Sequence, residues 1–151
     1  MGVKRLAVEY WAPIVLWLAV IFIFSSDAFS AGHTSGIIVP ILRFLFPWLS
    51  PEGLEFSHAF IRKTGHVTEY FILAVFTYRS FRQERIDLTH AKLMTFSFVA
   101  VAAIVDEFHQ RLTLFRTGSP IDVGYDCLGA VLALWFFTIY ETWRLRTYPV
   151  L

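Results

Sequence analysis

Four apolar segments constrain the fold of this chain more than any other feature. They cover residues 8–26, 62–81, 89–108 and 122–143. Each is close to the roughly 20 residues that an α-helix needs to cross about 30 Å of hydrocarbon. Inside a bilayer the backbone must satisfy its own hydrogen bonds, so such segments fold as helices. The sequence therefore predicts an all-α, integral membrane helical bundle with four transmembrane helices, formed by a single domain over residues 1–151.

Composition supports a membrane protein. Of the 151 residues, 56% are hydrophobic and 17% are charged, and 16 are phenylalanine, whereas soluble domains carry about 25% charged residues. The net charge of +1 gives no reason to expect a nucleic-acid partner. The single cysteine, Cys127, cannot form a disulfide within one chain and is interpreted as a small buried residue.

Two stretches need separate interpretation. Residues 36–49 (GIIVPILRFLFPWL) are apolar, but they are too short to cross and contain Pro40 and Pro47, which predicts a short interfacial or re-entrant segment. The first apolar segment follows Lys4 and Arg5 and also resembles a signal peptide cleaved near residues 28–31. Its length and its two tryptophans favour a retained helix.

The distribution of basic residues predicts the orientation in the plasma membrane. With both termini in the cytoplasm, eight basic residues lie inside and five outside, which follows the positive-inside rule. The inner eight are Lys4, Arg5, Arg79, Arg82, Arg85, Lys92, Arg144 and Arg146, and the outer five are Arg43, Arg62, Lys63, Arg111 and Arg116. The basic segment at residues 78–87 is interpreted as an anchor that contacts anionic lipid.

Polar side chains cluster where these apolar segments begin and end. An ionisable group at a helix centre costs about 2.5–3.5 kcal/mol on insertion scales, so such groups are seldom incidental. With alternating spans, the end of the first, the start of the second, the end of the third and the start of the fourth share the outer membrane face. The side chains predicted to meet there are Ser25, Ser26, Asp27, His66, Glu69, Tyr70, Asp106, Glu107, His109, Gln110, Asp122 and Asp126.

Helical spacing predicts which of these groups share a helix face. The spacing i, i+3, i+4 occurs in His66, Glu69 and Tyr70, and again in Asp106, His109 and Gln110. Glu107 is rotated by about 100° from its neighbour and is expected to face a different helix. Asp122 and Asp126 lie one turn apart, and Gly129, a further turn along, would let another helix approach closely.

Carboxylates and imidazoles around one centre admit two interpretations. They form an N/O-rich site of a kind that suits zinc, manganese or iron. The favoured alternative is a metal-free network in which the acids pair with one another and with nearby arginines and fix the helix register. The sequence leaves both open, so neither a metal nor another cofactor is identified.

Four cations at the same level suggest binding of a phosphate or headgroup. They are Arg62, Lys63, Arg111 and Arg116, and residues 117–119 add hydroxyl and backbone N–H groups at the start of the last span. Such groups at a helix N-terminus bind anions. At the outer leaflet the available anions are lipid phosphates, including those of lipid-linked sugars. Alternatively, Arg116 could pair with Asp122 or Asp106.

A catalytic interpretation rests on His66, because imidazole titrates near neutral pH and Glu69 or an aspartate could orient it. The candidate catalytic residues are His66, Glu69, Asp106 and His109. No serine or cysteine has a spacing that indicates a nucleophile, and Ser25 and Ser26 are interpreted as a helix cap. The other histidines, His33, His58 and His90, are interpreted as solvated or interfacial.

The order of these motifs resembles the VanZ-like family of bacterial membrane proteins. The motifs are SSDAF, RKTGHVTEY, DEFHQ, RTGS and DVGYDCLG, and the resemblance covers about residues 8–140. It implies a small multi-span membrane protein with no known cofactor. Its signature positions fall on Lys63, His66, Tyr70, Asp106, Glu107, His109, Gln110, Arg116, Asp122, Asp126 and Gly129. The family is named for a teicoplanin-resistance protein, which implies the cell envelope as the place of action and a possible link to antibiotic resistance.

Three functions follow as hypotheses. The first is a polar outer-face site that engages a membrane lipid headgroup or a lipid-linked cell-wall precursor. The second is an intramembrane hydrolase or transferase acting on a phospholipid or polyprenyl phosphate. The third is a structural or assembly protein whose polar cluster only locks helices together. A transporter is less favoured, because no inverted repeat or broken helix is visible.

Overall fold

The computed structural model describes residues 7–113 and 119–147, and every regular element in these ranges is a helix. This confirms the all-α prediction. A π-helical turn (Ala7–Trp11) leads into α1 (Ala12–Phe24), and a short 3₁₀ turn (Asp27–Phe29) precedes α2 (Ala31–Leu45). The remaining helices are α3 (Pro51–Gln83), α4 (Leu88–Leu112) and α5 (Pro120–Thr147).

Three helices in the described ranges are long and apolar enough to cross a membrane: Asp27–Leu45, Leu88–Leu112 and Pro120–Thr147. The last two coincide with predicted spans. The predicted first span forms the shorter apolar helix Val8–Phe24. The predicted second span lies within α3, where charged side chains such as Arg62, Lys63 and Glu69 interrupt the apolar sequence. By length and composition the described helices therefore include three candidate spans, and two of the four predicted spans, in α1 and α3, are not among them.

The helical segment that contains Pro40 is longer than predicted. Together with the preceding turn, the helical segment runs for 19 residues, from Asp27 to Leu45, because the helix begins before the apolar stretch and continues through Pro40. A proline removes one hydrogen-bond donor, but it does not always end a helix that neighbours or local adjustment support.

Large apolar side chains cover much of the surface of the helices. Phe44 is 85% exposed, Trp48 75% and Phe56 74%. A water-soluble protein rarely exposes so many contiguous apolar groups. The exposed surface is therefore the one expected of a membrane protein, whose apolar side chains face lipid.

Contacts at both ends of the bundle define the helix directions. Near one end His66 of α3 meets Asp126 of α5, and near the other Tyr78 of α3 donates a hydrogen bond to Glu141 of α5. Thus α3 and α5 run parallel. Lys92, at the start of α4, forms an ion pair of 3.1 Å with Glu141, so α4 runs antiparallel to both. The helix directions alternate, as the sequence predicts.

The closest packing in the bundle joins α3 and α5 at Gly129. A Cβ atom at this position would lie 2.3 Å from the carbonyl oxygen of Val67 and 2.8 Å from the backbone nitrogen of Phe71. Only a residue without a side chain allows this approach, which confirms the predicted role of Gly129. The neighbouring Ala130 and Ala133 are also fully buried.

Helix α2 joins the bundle through a histidine that was expected to be solvated. His58 of α3 is 8% exposed, and its Nε2 lies 3.1 Å from Oγ1 of Thr34 on α2. The interpretation of His58 as solvated is therefore wrong: the hydroxyl of Thr34 supplies the polar partner that a buried imidazole needs. His90, in contrast, is exposed and pairs with Asp87 at the start of α4.

Candidate functional site

Polar residues from α1, α3, α4 and α5 meet near the end of the bundle where His66 of α3 contacts Asp126 of α5. We call this group the polar cluster. Its buried members are Ser25, Tyr70, Asp106, Glu107, Gln110, Asp122 and Asp126, and its half-buried members are Arg62, Lys63, His66 and Glu69. Charged groups are rarely buried unless they are paired, so the contacts of each member show how the cluster is held together.

Two ion pairs connect α3 to α5. Nζ of Lys63 binds Oδ1 of Asp122, and Nδ1 of His66 lies 3.0 Å from Oδ1 of Asp126. The two basic residues are three positions apart and the two aspartates four, so parallel helices in register form both pairs together. Lys63 also lies 5.0 Å from the ring centroid of Tyr125, which adds a cation–π contact.

Helix α4 contributes a buried amide that connects it to α1. Nε2 of Gln110 donates to Oδ2 of Asp106 at 2.9 Å and to Oγ of Ser25 at 3.2 Å. Glu107, one residue after Asp106, instead faces the charges of Asp122 and Asp126 and lies 3.7 Å from Nε of Arg111. The expectation that Glu107 faces a different neighbour is thereby confirmed.

Two polar atoms at the centre of the cluster keep hydrogen-bonding capacity that the described residues do not use. They are the hydroxyl oxygen of Tyr70, whose residue is fully buried, and Oδ1 of Asp106, whose residue is 1% exposed. The two residues are close enough to interact, and Asp126 and Glu69 also act on Tyr70. Buried polar atoms normally have a hydrogen-bond partner. These two oxygens have none among the described residues, so both can still form a hydrogen bond.

His109 departs from its predicted place. Its spacing puts it on the same face as Asp106, but its ring packs edge-to-face against Phe22 of α1, with 5.5 Å between centroids. Its Nδ1 is buried without a hydrogen-bond partner among the described residues. The i, i+3 spacing leaves an angular offset of about 60°, and here that offset turns the side chain toward α1.

The four predicted phosphate-binding cations have different surroundings. Lys63 and Arg111 are each paired with an acid, as described above. Arg62 is half-buried, within electrostatic range of Asp122, and forms no ion pair in the described ranges. Arg116 and residues 117–118 lie outside the described residues, and so do the predicted pairs of Arg116 with Asp122 or Asp106. Arg62 is therefore the described cation that is available to a ligand.

A cleft of about 210 Å³ opens beside the polar cluster, between the end of α1, α2 and α3. Its polar wall consists of Ser25, Arg62, His66 and Glu69. Its apolar lining, called here the apolar wall, consists of Phe24, Phe29, Ile38 and Ile61, and Gly65 also lines the space. A guanidinium and an imidazole thus share a space with hydrocarbon side chains, an arrangement that suits an amphiphilic ligand.

The described residues form no group of three or more histidine, cysteine, aspartate or glutamate side chains with the geometry of a metal site. The acids of the polar cluster are instead arranged around Lys63, His66 and Gln110. The network interpretation expected the acids to pair with one another and with nearby arginines. Among the described residues the acids instead have lysine, histidine and amide partners, and Arg111 beside Glu107 is the arginine contact of the cluster.

Two contacts of the site were not predicted from the sequence. Ser25 is the C-cap of α1, as predicted, and it is in addition 3% exposed and accepts a hydrogen bond from Gln110. Nε1 of Trp17 donates to the main-chain oxygen of Glu69 at 2.8 Å, which connects α1 to α3. The predicted position of Ser25 at the outer membrane face could have indicated its contact with Gln110, whereas nothing in the sequence singles out Trp17 as a hydrogen-bond donor.

Comparison with known proteins gives one match. The model of the VanZ/LLP1 family matches residues 10–141. No curated protein and no solved structure matches the chain. The matched region contains every described member of the polar cluster.

Proposed function

The chain belongs to the VanZ/LLP1 family, and from this premise we propose that its polar cluster and cleft engage the headgroup of a membrane lipid or of a lipid-linked cell-envelope precursor. The phosphate of the ligand lies against Arg62 and His66. Its hydrocarbon lies against the apolar wall of the cleft. The proposal describes a multi-pass protein of the plasma membrane whose cleft opens at the outer face.

The cleft is the single observation that carries this proposal. Arg62 forms no ion pair with the described residues, so its guanidinium can bind a phosphate without first losing an internal partner. Arginine is well suited to that contact because its planar fork matches phosphate oxygens. The aromatic and aliphatic side chains that line the same cleft favour a ligand that carries hydrocarbon over a water-soluble phosphate ester.

The distribution of charge supports the proposed orientation. Six basic residues lie at the end of the bundle opposite the cleft: Arg79, Arg82, Arg85, Lys92, Arg144 and Arg146. By the positive-inside rule that end is cytoplasmic, so the cleft faces outward and both termini lie inside. In this arrangement α1, α3, α4 and α5 are the four spans. The polar residues of α3 can enter the membrane because side chains of α5 and α4 pair with them.

Lipid retention tests the proposal. The protein is purified in mild detergent from bacterial membranes, and its bound lipids are extracted and identified by mass spectrometry. We expect Arg62→Gln to lose bound phospholipid or precursor by about fivefold, the worth of one arginine near a lipid phosphate. Arg43→Gln is the matched control, because Arg43 is an exposed arginine of α2 that does not line the cleft. Equal lipid retention by both variants would refute the proposal.

The geometry of His66 favours an enzyme as the second candidate. Asp126 binds Nδ1, and His66 also lines the cleft, so Nε2 is left as the ring nitrogen that can exchange a proton with a ligand. In a hydrolysis, Nε2 takes a proton from water, the hydroxide attacks phosphorus, and the P–O bond to the leaving group breaks. The proton then passes to the leaving oxygen, and Arg62 stabilises the phosphoryl charge.

Turnover separates the enzyme from the binding protein. Vesicles of defined phospholipid or polyprenyl phosphate are incubated with the purified protein, and released headgroup or phosphate is measured. An enzyme should lose product formation by about 10²–10⁴-fold in His66→Gln, the usual contribution of a general acid or base. His90→Gln is the control, because His90 is exposed at the opposite end. Lipid binding without any product from the unmodified protein leaves the binding function.

Charge exchange tests whether the cluster acts only as a lock between helices. The double variant Lys63→Asp/Asp122→Lys keeps one ion pair between α3 and α5 but reverses its direction. A purely structural cluster tolerates this exchange, with lipid retention unchanged. Loss of retained lipid at normal membrane expression supports a ligand site. Sensitivity of a deletion strain to teicoplanin tests the link to antibiotic resistance that the family resemblance implies.

A further inference from the structure

The opposite end of the bundle contains a second, larger cavity of about 770 Å³. We call it the basic cavity. It lies between the last turns of α3 and α5 and includes Tyr10 from the turn before α1. Its basic residues are Arg79 and Arg82 of α3 and Arg144 of α5. The segment around Arg79 and Arg82 was interpreted from sequence only as a surface anchor, and the structure adds an open cavity beside it.

The basic cavity has an excess of positive charge. Its acid is Glu141, which accepts a hydrogen bond from the hydroxyl of Tyr78 and forms an ion pair of 3.1 Å with Lys92. Glu141 therefore already has a basic partner. Arg82 donates to the main-chain oxygen of Ile86, and neither Arg79 nor Arg144 forms an ion pair with any residue in the ranges 7–113 and 119–147. Three guanidinium groups thus face one cavity without a carboxylate of their own.

The other walls of the basic cavity are aromatic and aliphatic. Phe137 packs against Tyr78 with 4.5 Å between ring centroids, and Tyr140, Leu88 and Leu145 line the same space. Leu145 is 58% exposed and Tyr140 is 48% exposed, so this wall continues onto the outer surface of α5. An occupant must therefore combine a compact anion with hydrocarbon, and a free inorganic anion would leave the apolar wall without a contact.

We propose that the basic cavity binds the phosphate headgroup of an anionic membrane lipid. The phosphate lies among Arg79, Arg82 and Arg144, and the start of an acyl chain follows Phe137 and Leu145 toward the membrane. Guanidinium groups from two helices bind one phosphate, so the bound lipid holds the ends of α3 and α5 together. This site is separate from the cleft at Arg62 and does not depend on the function proposed there.

Lipid affinity measured on the full-length protein tests this site. The protein is studied by native mass spectrometry in detergent with added phosphatidic acid, with phosphatidylcholine as the zwitterionic comparison. All variants also carry Arg62→Gln, so that the first cleft does not contribute. We expect preferential binding of phosphatidic acid, and a loss of affinity of about fivefold in Arg79→Gln and in Arg144→Gln. The double variant should lose about 25-fold if the two effects add.

Arg146→Gln provides the matched control. Arg146 is an exposed arginine two residues beyond Arg144 on α5, and it does not line the basic cavity. Its substitution should leave the affinity for phosphatidic acid unchanged. An equal loss in Arg146→Gln would overturn the proposal, because it would show attraction to general surface charge. Competition by inorganic phosphate at the concentration effective for short-chain phosphatidic acid would also overturn it, because the apolar wall would then contribute nothing. Equal affinity for phosphatidylcholine would also overturn the proposal, because the negative charge of the headgroup would then contribute nothing.

Discussion

Replacement of Gly129 by alanine tests whether the contact between α3 and α5 determines the geometry of the polar cluster. A Cβ at this position would lie 2.3 Å from the carbonyl oxygen of Val67, whereas ordinary contacts begin at 3.4 Å. The obstacle is backbone, which cannot rotate away as a side chain can. The two helices must therefore separate by up to about 1.1 Å at this turn.

That displacement has a cost in both stability and geometry. Overpacking of a well-packed contact costs about 1–3 kcal/mol, which for a chain of this size corresponds to a fall in Tm of about 2–12 °C. Asp126 lies one turn before Gly129, and its hydrogen bond to His66 measures 3.0 Å. Half of the displacement along this bond would lengthen it to about 3.5 Å, where it no longer bonds well. Gly129→Ala should therefore also lower retention of the lipid in the cleft.

Gly124→Ala is the control for this experiment. Gly124 lies on the same helix, and a Cβ there would meet no atom within 4 Å. Alanine is the better helix former by about 0.8–1.0 kcal/mol, so Gly124→Ala should unfold at the same temperature as the unmodified protein or a higher one. Thermal unfolding in detergent, followed by circular dichroism, compares the two variants. If Gly129→Ala matches Gly124→Ala in both Tm and lipid retention, the reasoning from close approach is refuted.

Two further substitutions test individual contacts by the same unfolding measurement, and a titration tests the charge at the start of α4. Gln110→Ala should destabilise the bundle by about 1–3 kcal/mol, because Asp106 loses the amide that donates to it; an unchanged Tm would contradict the buried network. Trp17→Phe removes the hydrogen-bond donor to the main-chain oxygen of Glu69. It should lower the free energy of unfolding by about 0.6 kcal/mol, the mean for hydrogen bonds between membrane helices, and a larger loss than in Gln110→Ala would contradict this prediction. Backbone hydrogen bonds from the start of α4, together with the neighbouring imidazole, hold the pKa of Asp87 below its ordinary value. The ionised carboxylate of Asp87 therefore stabilises the fold fully above the ordinary pKa range of aspartate, and this stabilisation is lost as the pH falls through the lowered pKa. An NMR titration of the carboxyl group would show the lowered pKa, and a pKa at or above the ordinary value would refute this.

The sequence predicted the members of the polar cluster better than their partners. Helical spacing identifies residues that share one face of a helix, and this is how His66 and Asp126 were both placed at the centre of the site. The choice of partner depends on the register between helices, which the backbone contact at Gly129 sets. For this reason the pairing of Lys63 with Asp122 was not anticipated. His109 shows the same limit, because its spacing did not predict that it would turn toward Phe22.

The spans were predicted well where composition alone decides them. In α4 and α5 a long apolar sequence leaves one option, and the predicted and observed segments agree. The length of the stretch around Pro40 was underestimated, because Pro40 and Pro47 were interpreted as interruptions. The helix continues through Pro40 and ends at Leu45, before Pro47. Helix α3 was counted as a span from its second half, although its first half, from Pro51, extends the helix well beyond the predicted start.

The polar residues of α3 connect the assembly of the bundle with its proposed function. Each ionisable residue at a helix centre costs about 2.5–3.5 kcal/mol, so Lys63, His66 and Glu69 together would oppose insertion of an isolated α3 by several kcal/mol. Asp122 and Asp126 of α5 offset part of that cost by pairing with Lys63 and His66. Helix α3 is therefore expected to cross stably only beside α5. If α3 crosses the membrane as proposed, the ion pairs that form the proposed site also lower the cost of inserting α3, so the site forms when α3 and α5 assemble.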